Sequence, residues 1–159
     1  MGGKVQAELK QSRPFETAEA EAYVNILRTA DALSRPIEQV LGSAGLSSPQ
    51  YNVLRILRGA GADGLACREI GERMIARDPD ITRLLDRLEK RGLLRRARDQ
   101  RDRRVITTRI TRQGLRILRE LDAPVRTAHQ RQFAHMRRQK LATLIRLLEE
   151  ARTEPVKIS

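Results

Sequence analysis

The sequence predicts a mainly α-helical chain with one small β-hairpin: three short helices and the hairpin form a compact unit, and longer helices flank it. Three observations carry this prediction. Apolar residues recur at spacings of three and four through most of the chain. Two short segments, 93–98 and 104–110, flank a polar tip in the manner of a hairpin. Aromatics make up 3% of the residues and Trp is absent, so the core must be assembled from Leu, Ile, Val and Ala, which suits packed helices.

Residues 1–16 are polar, lack periodicity and contain Pro14, which predicts a flexible N-terminal arm. From Thr17 to Leu41, the residues Tyr23, Ile26, Ala30, Leu33, Ile37 and Val40 form one helical stripe. Thr17 is the expected N-cap, with Glu19 and Glu21 facing the positive end of the helix dipole. Pro36 is expected to kink or interrupt this helix. Beyond Gly42 and Gly45, Ser48-Pro49 reads as a cap and a first helical position, opening a helix to about Arg58. Gly59, Gly61 and Gly64 make a flexible connection to a short helix, Cys67 to Ile75, that buries Ile70 and Met74. Asp78-Pro79 repeats the cap signature. Behind it Ile81, Leu84, Leu85 and Leu88 give the strongest amphipathic pattern in the chain, and Gly92 is the expected stop. The hairpin tip is Asp99-Gln100-Arg101-Asp102-Arg103. Thr111 caps a long helix carrying Leu115, Leu118, Leu121 and Val125, with Pro124 as a kink. A last helix, Gln139 to Ala151, carries Leu141, Leu144, Ile145 and Leu148.

Three helices followed by a basic hairpin make a winged helix-turn-helix. The expected organisation is an arm (1–16), an N-terminal dimerisation helix (17–45), a winged module (46–111), C-terminal dimerisation helices (112–152) and a tail (153–159). The terminal helices carry apolar stripes outside the compact unit, and a second copy of the chain is the simplest surface to cover them.

The net charge is +12, and its placement is informative: residues 77–116 hold fourteen Lys/Arg against six Asp/Glu, whereas residues 1–63 hold seven of each. A basic excess in one folded segment is the footprint of a polyanion partner. No stretch reaches the roughly 18 apolar residues of a membrane span, and the N-terminus lacks a signal-peptide pattern, so the expected compartment is the cytoplasm. The single cysteine, Cys67, agrees with a reducing environment. Catalysis and metal binding have no support: one Cys and two His, at 129 and 135, make no zinc set, and no phosphate loop or nucleophile motif is present. No cofactor is expected.

Three segments resemble the MarR family of regulators: the run from Pro79 to Leu93 ending Arg87-Leu88-Glu89-Lys90-Arg91-Gly92-Leu93, the tip Asp99-Gln100-Arg101-Asp102-Arg103-Arg104, and Ile110-Thr111-Arg112-Gln113-Gly114. The D-x-R-D-x-R tip following E-x-R-G-L is the specific part. The resemblance implies a homodimer with interlocked terminal helices and two winged modules, and regulators that release DNA on binding a small ligand or on cysteine oxidation. The family's ligand pockets lie between the dimerisation helices and the winged module. That position suggests Tyr23, Ile26, Tyr51 and Arg55 here, and a phenolic or other aromatic effector. Cys67 at a helix start is a conceivable redox sensor.

With the Leu stripe inward, Pro79, Arg83, Asp86, Arg87 and Lys90 fall on the opposite face, which would enter the major groove of double-stranded DNA. Arg83 is placed to reach guanine, and Thr82 a base methyl or a phosphate. Asp80 complements the helix dipole, and Asp86 orients Arg83 or Arg87 or accepts from cytosine. At the wing, Arg103 or Arg101 is expected to insert in the minor groove beside Arg104, with Asp99 and Asp102 bracing the loop by pairing with Arg101 or Arg104. Lys90, Arg95, Arg96, Arg98 and Arg112 are assigned to the phosphate backbone. The expected function is a sequence-specific transcriptional regulator, ligand-responsive and repressing, on a pseudo-palindromic operator. The alternatives are a non-specific architectural DNA-binding protein and a protein–protein adaptor on the same fold.

Overall fold

A computed structural model describes residues 3–99 and 101–153; the hairpin's Gln100 and the tail beyond 153 lie outside the described residues. The chain is mainly helical with one three-stranded antiparallel sheet. The elements are α1 (Lys4–Glu8), α2 (Ala18–Gly42), α3 (Ser48–Ala60), a 3₁₀ turn (Gly61–Asp63), β1 (Leu65–Ala66), α4 (Cys67–Arg73), α5 (Ile81–Lys90), β2 (Leu94–Arg98), β3 (Ile106–Ile110), α6 (Arg112–Phe133) and α7 (Arg138–Ala151).

Local chemistry sets most of these boundaries. Thr17 caps α2 by accepting from the Ala20 amide at 3.1 Å, and the helix runs through Pro36 to Gly42. α3 is capped by Ser47, not Ser48. The Ser47 hydroxyl accepts from Gln50 N–H at 3.3 Å, and the Gln50 side chain accepts from Ser47 N–H at 3.0 Å. That reciprocal box satisfies two orphan donors, which moves the cap one residue ahead of the Ser-Pro signature. α5 shows the larger shift. Its N-cap is Asp80, which accepts from Arg83 N–H, while Asp78 accepts from Asp80 N–H at 2.8 Å in a local turn ahead of the helix. Pro79 therefore precedes the helix. In the segment read as a loose arm, α1 forms and buries Val5.

β1 was not anticipated from the sequence. It has only two residues, paired as Leu65↔Thr108 and Ala66↔Thr107 with β3, which also pairs β2 from Leu94↔Ile110 to Arg98↔Ile106. The order β1-β3-β2 places the wing strand β3 in the middle. α5 ends in a Schellman arrangement: Gly92 N–H donates to Glu89 O and Leu93 N–H to Leu88 O, with Gly92 at φ 70°. The base of the wing is fastened at the same place. Thr111 N–H donates to Leu93 O, the Thr111 hydroxyl donates to Gly92 O at 2.6 Å and accepts from Gly114 N–H at 3.1 Å. A Cβ on Gly114 would clash with Leu93 O, so glycine is what lets α6 start against this turn.

The core joins these elements through fully buried Leu41, Val53, Leu54, Leu57, Ile70, Leu85, Leu88, Leu93, Leu94 and Leu118. α2 packs along α6 and α3 lies against both. α7 buries none of its residues within the chain. Among the described residues, the Thr108 hydroxyl is buried without a hydrogen-bond partner. Burying a hydroxyl unpaired costs about 1–3 kcal/mol. Thr108→Val is therefore expected to stabilise the protein by about 1 kcal/mol, read as a higher urea midpoint at unchanged slope. A lower midpoint would contradict the assignment.

Candidate nucleic-acid interface

α5 presents two faces. Leu84, Leu85 and Leu88 are buried and Ile81 half-buried, while Thr82, Arg83, Arg87 and Lys90 are exposed. Arg83 is held at its root: its Nε lies 3.0 Å from Asp80 Oδ2. Asp80 thus caps the helix and steers Arg83 together, leaving most of the guanidinium edge outward. Pro79 is exposed just ahead of the first turn.

Asp86 does not meet Arg83 or Arg87. It turns toward β2 and receives Arg96 Nη2 at 2.5 Å, and Glu89 receives Arg96 through Nε at 2.9 Å, Nη2 at 2.6 Å and the Arg96 backbone N–H at 2.8 Å. Arg96 is therefore engaged inside the protein rather than offered to phosphates. Expected from the sequence at the phosphate backbone, the Arg96 side chain is only 24% exposed and clamps α5 to β2. Hydrogen bonding from Arg96 holds the Glu89 carboxyl below its ordinary range, and the same bonds, to Glu89 first, push Arg96 further up. A carboxylate with a depressed folded pKa adds stability above its unfolded pKa, and loses it as pH falls through the folded value. Arg96→Met, which leaves two carboxylates without their cation, is expected to cost about 1–3 kcal/mol near pH 7. The difference from wild type should shrink in urea titrations as pH falls below the ordinary carboxylate value of 4.5 and through the lowered value of Glu89. An unchanged difference at acid pH would rule out the ion cluster as its source.

At the wing, Asp99 organises the tip through backbone groups. Its Oδ1 accepts from Arg101 N–H at 2.7 Å and Asp102 N–H at 3.2 Å, and these donors lower its pKa. Asp102 Oδ1 accepts from Arg104 N–H at 3.0 Å. The bracing expected of Asp99 and Asp102 thus runs through amides rather than guanidinium pairing; Arg104 Nε stands 3.9 Å from Asp102. Among the described residues neither Arg101 nor Arg103 forms an ion pair, and both are exposed. Arg95, Arg98 and Arg112 are likewise exposed around the wing.

Several basic residues that sequence reading left aside prove structural. Arg91 donates to Gly45 O at 2.6 Å and Ala44 O at 3.2 Å, tying the α2–α3 loop to the end of α5. Arg58 forms a bidentate pair with Asp122 at 2.9–3.0 Å, joining α3 to α6 across 64 residues. Arg109 Nε donates to Ala62 O. Nothing local in the sequence signals such distant partners.

Behind the interface, a cavity of about 360 Å³ lies among α2, α3 and α6, walled by Leu33, Ile37, Tyr51, Asn52, Arg55, His129 and Phe133. Tyr51 and Arg55 line it, with Arg55 over the Tyr51 ring at 5.9 Å. Tyr23 and Ile26 do not; they lie on an exposed face of α2, at 63% and 43%. Cys67 is half-buried at the start of α4. Among the described residues no helix is long and apolar enough to cross a membrane, and no cluster of His, Cys, Asp and Glu is arranged to hold a metal.

Helix, turn, helix and arginine-tipped wing define a winged-helix regulator of the DNA-binding class. A MarR family profile matches residues 46–106. A MarR transcription factor from Planctomyces limnophilus, known as a crystal structure, is 41% identical, with a TM-score of 0.65 over 85% of this chain and 98% of its own. The HTH-type transcriptional regulator TtmR of Methylorubrum extorquens (strain PA1) is 32% identical over 107 residues, 67% of this chain; the match spans 54% of TtmR, about half its length. CouR from Rhodococcus jostii RHA1, solved bound to p-coumaroyl-CoA, is 26% identical, with a TM-score of 0.72 over 89% of this chain and 99% of its own. The chain belongs to the MarR family, whose members are transcription regulators rather than enzymes.

Proposed function

We propose that this protein is a homodimeric, sequence-specific repressor in the cytoplasm that binds a pseudo-palindromic operator and releases it when a small organic ligand enters the cavity behind the reading helix. The observation that carries the reading is the outward face of α5: Arg83, steered by Asp80, stands beside exposed Thr82 and Arg87, while the clamp through Arg96 fixes this face relative to a wing whose Arg101 and Arg103 are unpaired among the described residues. Arg83, Thr82 and Arg87 would address base edges, Arg101, Arg103 and Arg104 the minor groove, and Lys90, Arg95, Arg98 and Arg112 the phosphates.

Dimerisation is supported by apolar side chains left uncovered on the terminal helices, Tyr23, Ile26 and Leu27 on α2 and Ile145 and Leu147 on α7. The effector is supported by the volume of the cavity, within the range of small-molecule sites, and by its apolar walls with Arg55 at one side. An aromatic or phenolic acid fits that chemistry.

Selection of duplexes from a random pool at about 0.15 M salt tests the reading. The expected product is a near-palindrome with half-sites about one helical turn apart, bound roughly 10³-fold or more above random DNA. Recovery of no preferred sequence would favour an architectural coat. Regulation that survives loss of both Arg83 and Arg103 would favour an adaptor.

A further inference from the structure

We infer that Asn52 is a positioning residue that couples the cavity to the start of the reading helix through the backbone of Ile75. The inference rests on the ligand-responsive reading above and specifies how occupancy would reach the DNA-facing surface. The connection between α4 and α5 runs from 74 to 80, longer than the three or four residues of the common helix-turn-helix. A connection of that length needs anchors. Met74 N–H closes α4 on Gly71 O; among the described residues, the one hydrogen bond from positions 74–79 to an element beyond the two helices being joined is Ile75 N–H to Asn52 Oδ1 at 2.8 Å. The remaining bonds are local, Asp80 N–H to Asp78 Oδ1 and Arg83 N–H to Asp80 Oδ1. On its α4 side, the cap that steers Arg83 is reached from the protein body through Asn52 and the packing of Met74, while Ile81 and Leu84 seat the first turn of α5 on the core.

Asn52 faces the cavity beside Ser48, Tyr51 and Arg55. The Ile75 side chain borders the same cavity and, on its other side, a groove of about 760 Å³ shared with Arg68, Arg77 and Pro79. It is 88% exposed, so packing does little to hold it and the backbone bond to Asn52 fixes its place. A ligand seated in the cavity meets both ends of this link: an apolar body packs on Ile75 and a polar group competes for the Asn52 amide. Either contact shifts the connection, and with it the Asp80 cap and Arg83.

With the duplex recovered by selection, Asn52→Ala is expected to bind about 5- to 150-fold more weakly, the worth of one hydrogen bond in each subunit of the dimer, with random-duplex binding unchanged. The Ile75 amide, protected from hydrogen exchange in wild type, should exchange freely in Asn52→Ala. Asn52→Asp keeps the acceptor and should restore both properties. With 4-hydroxybenzoate as the probe, wild type should lose affinity for the duplex at saturation. Asn52→Ala should still bind the acid calorimetrically while its DNA affinity no longer responds. Wild-type DNA affinity, an undiminished response to the acid, or unchanged Ile75 exchange in Asn52→Ala would each overturn the proposal. If 4-hydroxybenzoate fails to bind wild type, the effector reading fails in that form; if no duplex is preferred, the repressor reading fails. In both cases the exchange and rescue at Ile75 still decide whether Asn52 holds the connection.

Discussion

Replacing Gly64 by alanine is expected to lower stability by about 2–6 kcal/mol. Two costs coincide there. Gly64 sits at φ 69° and ψ −169°, a conformation essentially reserved for glycine, and a side chain held there is strained by about 1–3 kcal/mol. An added Cβ would also stand 2.5 Å from Thr108 O and 2.6 Å from Arg109 Cγ. Thr108 belongs to the central strand and its backbone is fixed by pairing on both sides, so it cannot retreat. Overpacking adds about 1–3 kcal/mol. The check is urea and thermal unfolding, with the thermal midpoint falling by about 4–24 °C. Gly61→Ala is the internal control, because Gly61 has φ 64° but open space around its Cβ position. Equal losses at the two glycines would show that contact with β3 contributes nothing.

Loss of Arg83 together with Arg103 is expected to abolish discrimination between the selected duplex and random DNA while leaving the fold intact. A bidentate arginine–guanine contact is worth about 1–3 kcal/mol, and a two-fold dimer makes it twice, so Arg83→Ala alone should weaken specific binding by about 30-fold to 10⁴-fold. Arg103→Ala removes attraction to a narrow minor groove and acts on flanking A·T sequence. Both side chains are exposed, and only Arg83 has an ion-pair partner among the described residues, Asp80. The melting temperature of the double variant should therefore stay near that of wild type. Specificity that survives the double substitution, measured by competition at fixed salt, would remove α5 and the wing as the reading surfaces.

The helical architecture was legible because its signals are local. The Ile81/Leu84/Leu85/Leu88 stripe fixes which face of α5 is buried, and Gly92 marks its end. Thr17 and Thr111 act as the caps their positions suggest. Cap positions went astray where two oxygen-bearing residues compete, as Ser47 does with Ser48 and Asp80 with Asp78. The winner depends on which side chain reaches a free amide two or three residues ahead, and proline marks the neighbourhood without choosing between them. β1 escaped because two residues carry no periodicity; its existence is a property of β3. The arginines divided for the same reason. Arg83, Arg101 and Arg103 point outward as their positions on helix and tip dictate, whereas Arg58, Arg91 and Arg96 find partners 7 to 64 positions away that only the folded chain brings near. Helical spacing likewise put Tyr23 and Ile26 on the stripe with Ile37, although only the lower part of that stripe reaches the cavity.

Two successive residues, Gly92 and Leu93, receive the end of α5 through their amides and the foot of the wing and the beginning of α6 through their carbonyls, which accept from the Thr111 hydroxyl and the Thr111 N–H. The two DNA-directed tools therefore share one pedestal and cannot swing independently. On the proposed reading a caliper of fixed opening follows: the distance from a half-site's core bases to the flanking step reached by the wing would be set by the protein, and adaptation to a different interval would have to come from the duplex. Operators for this protein should accordingly vary more in the composition of their flanks than in the interval that separates flank from core.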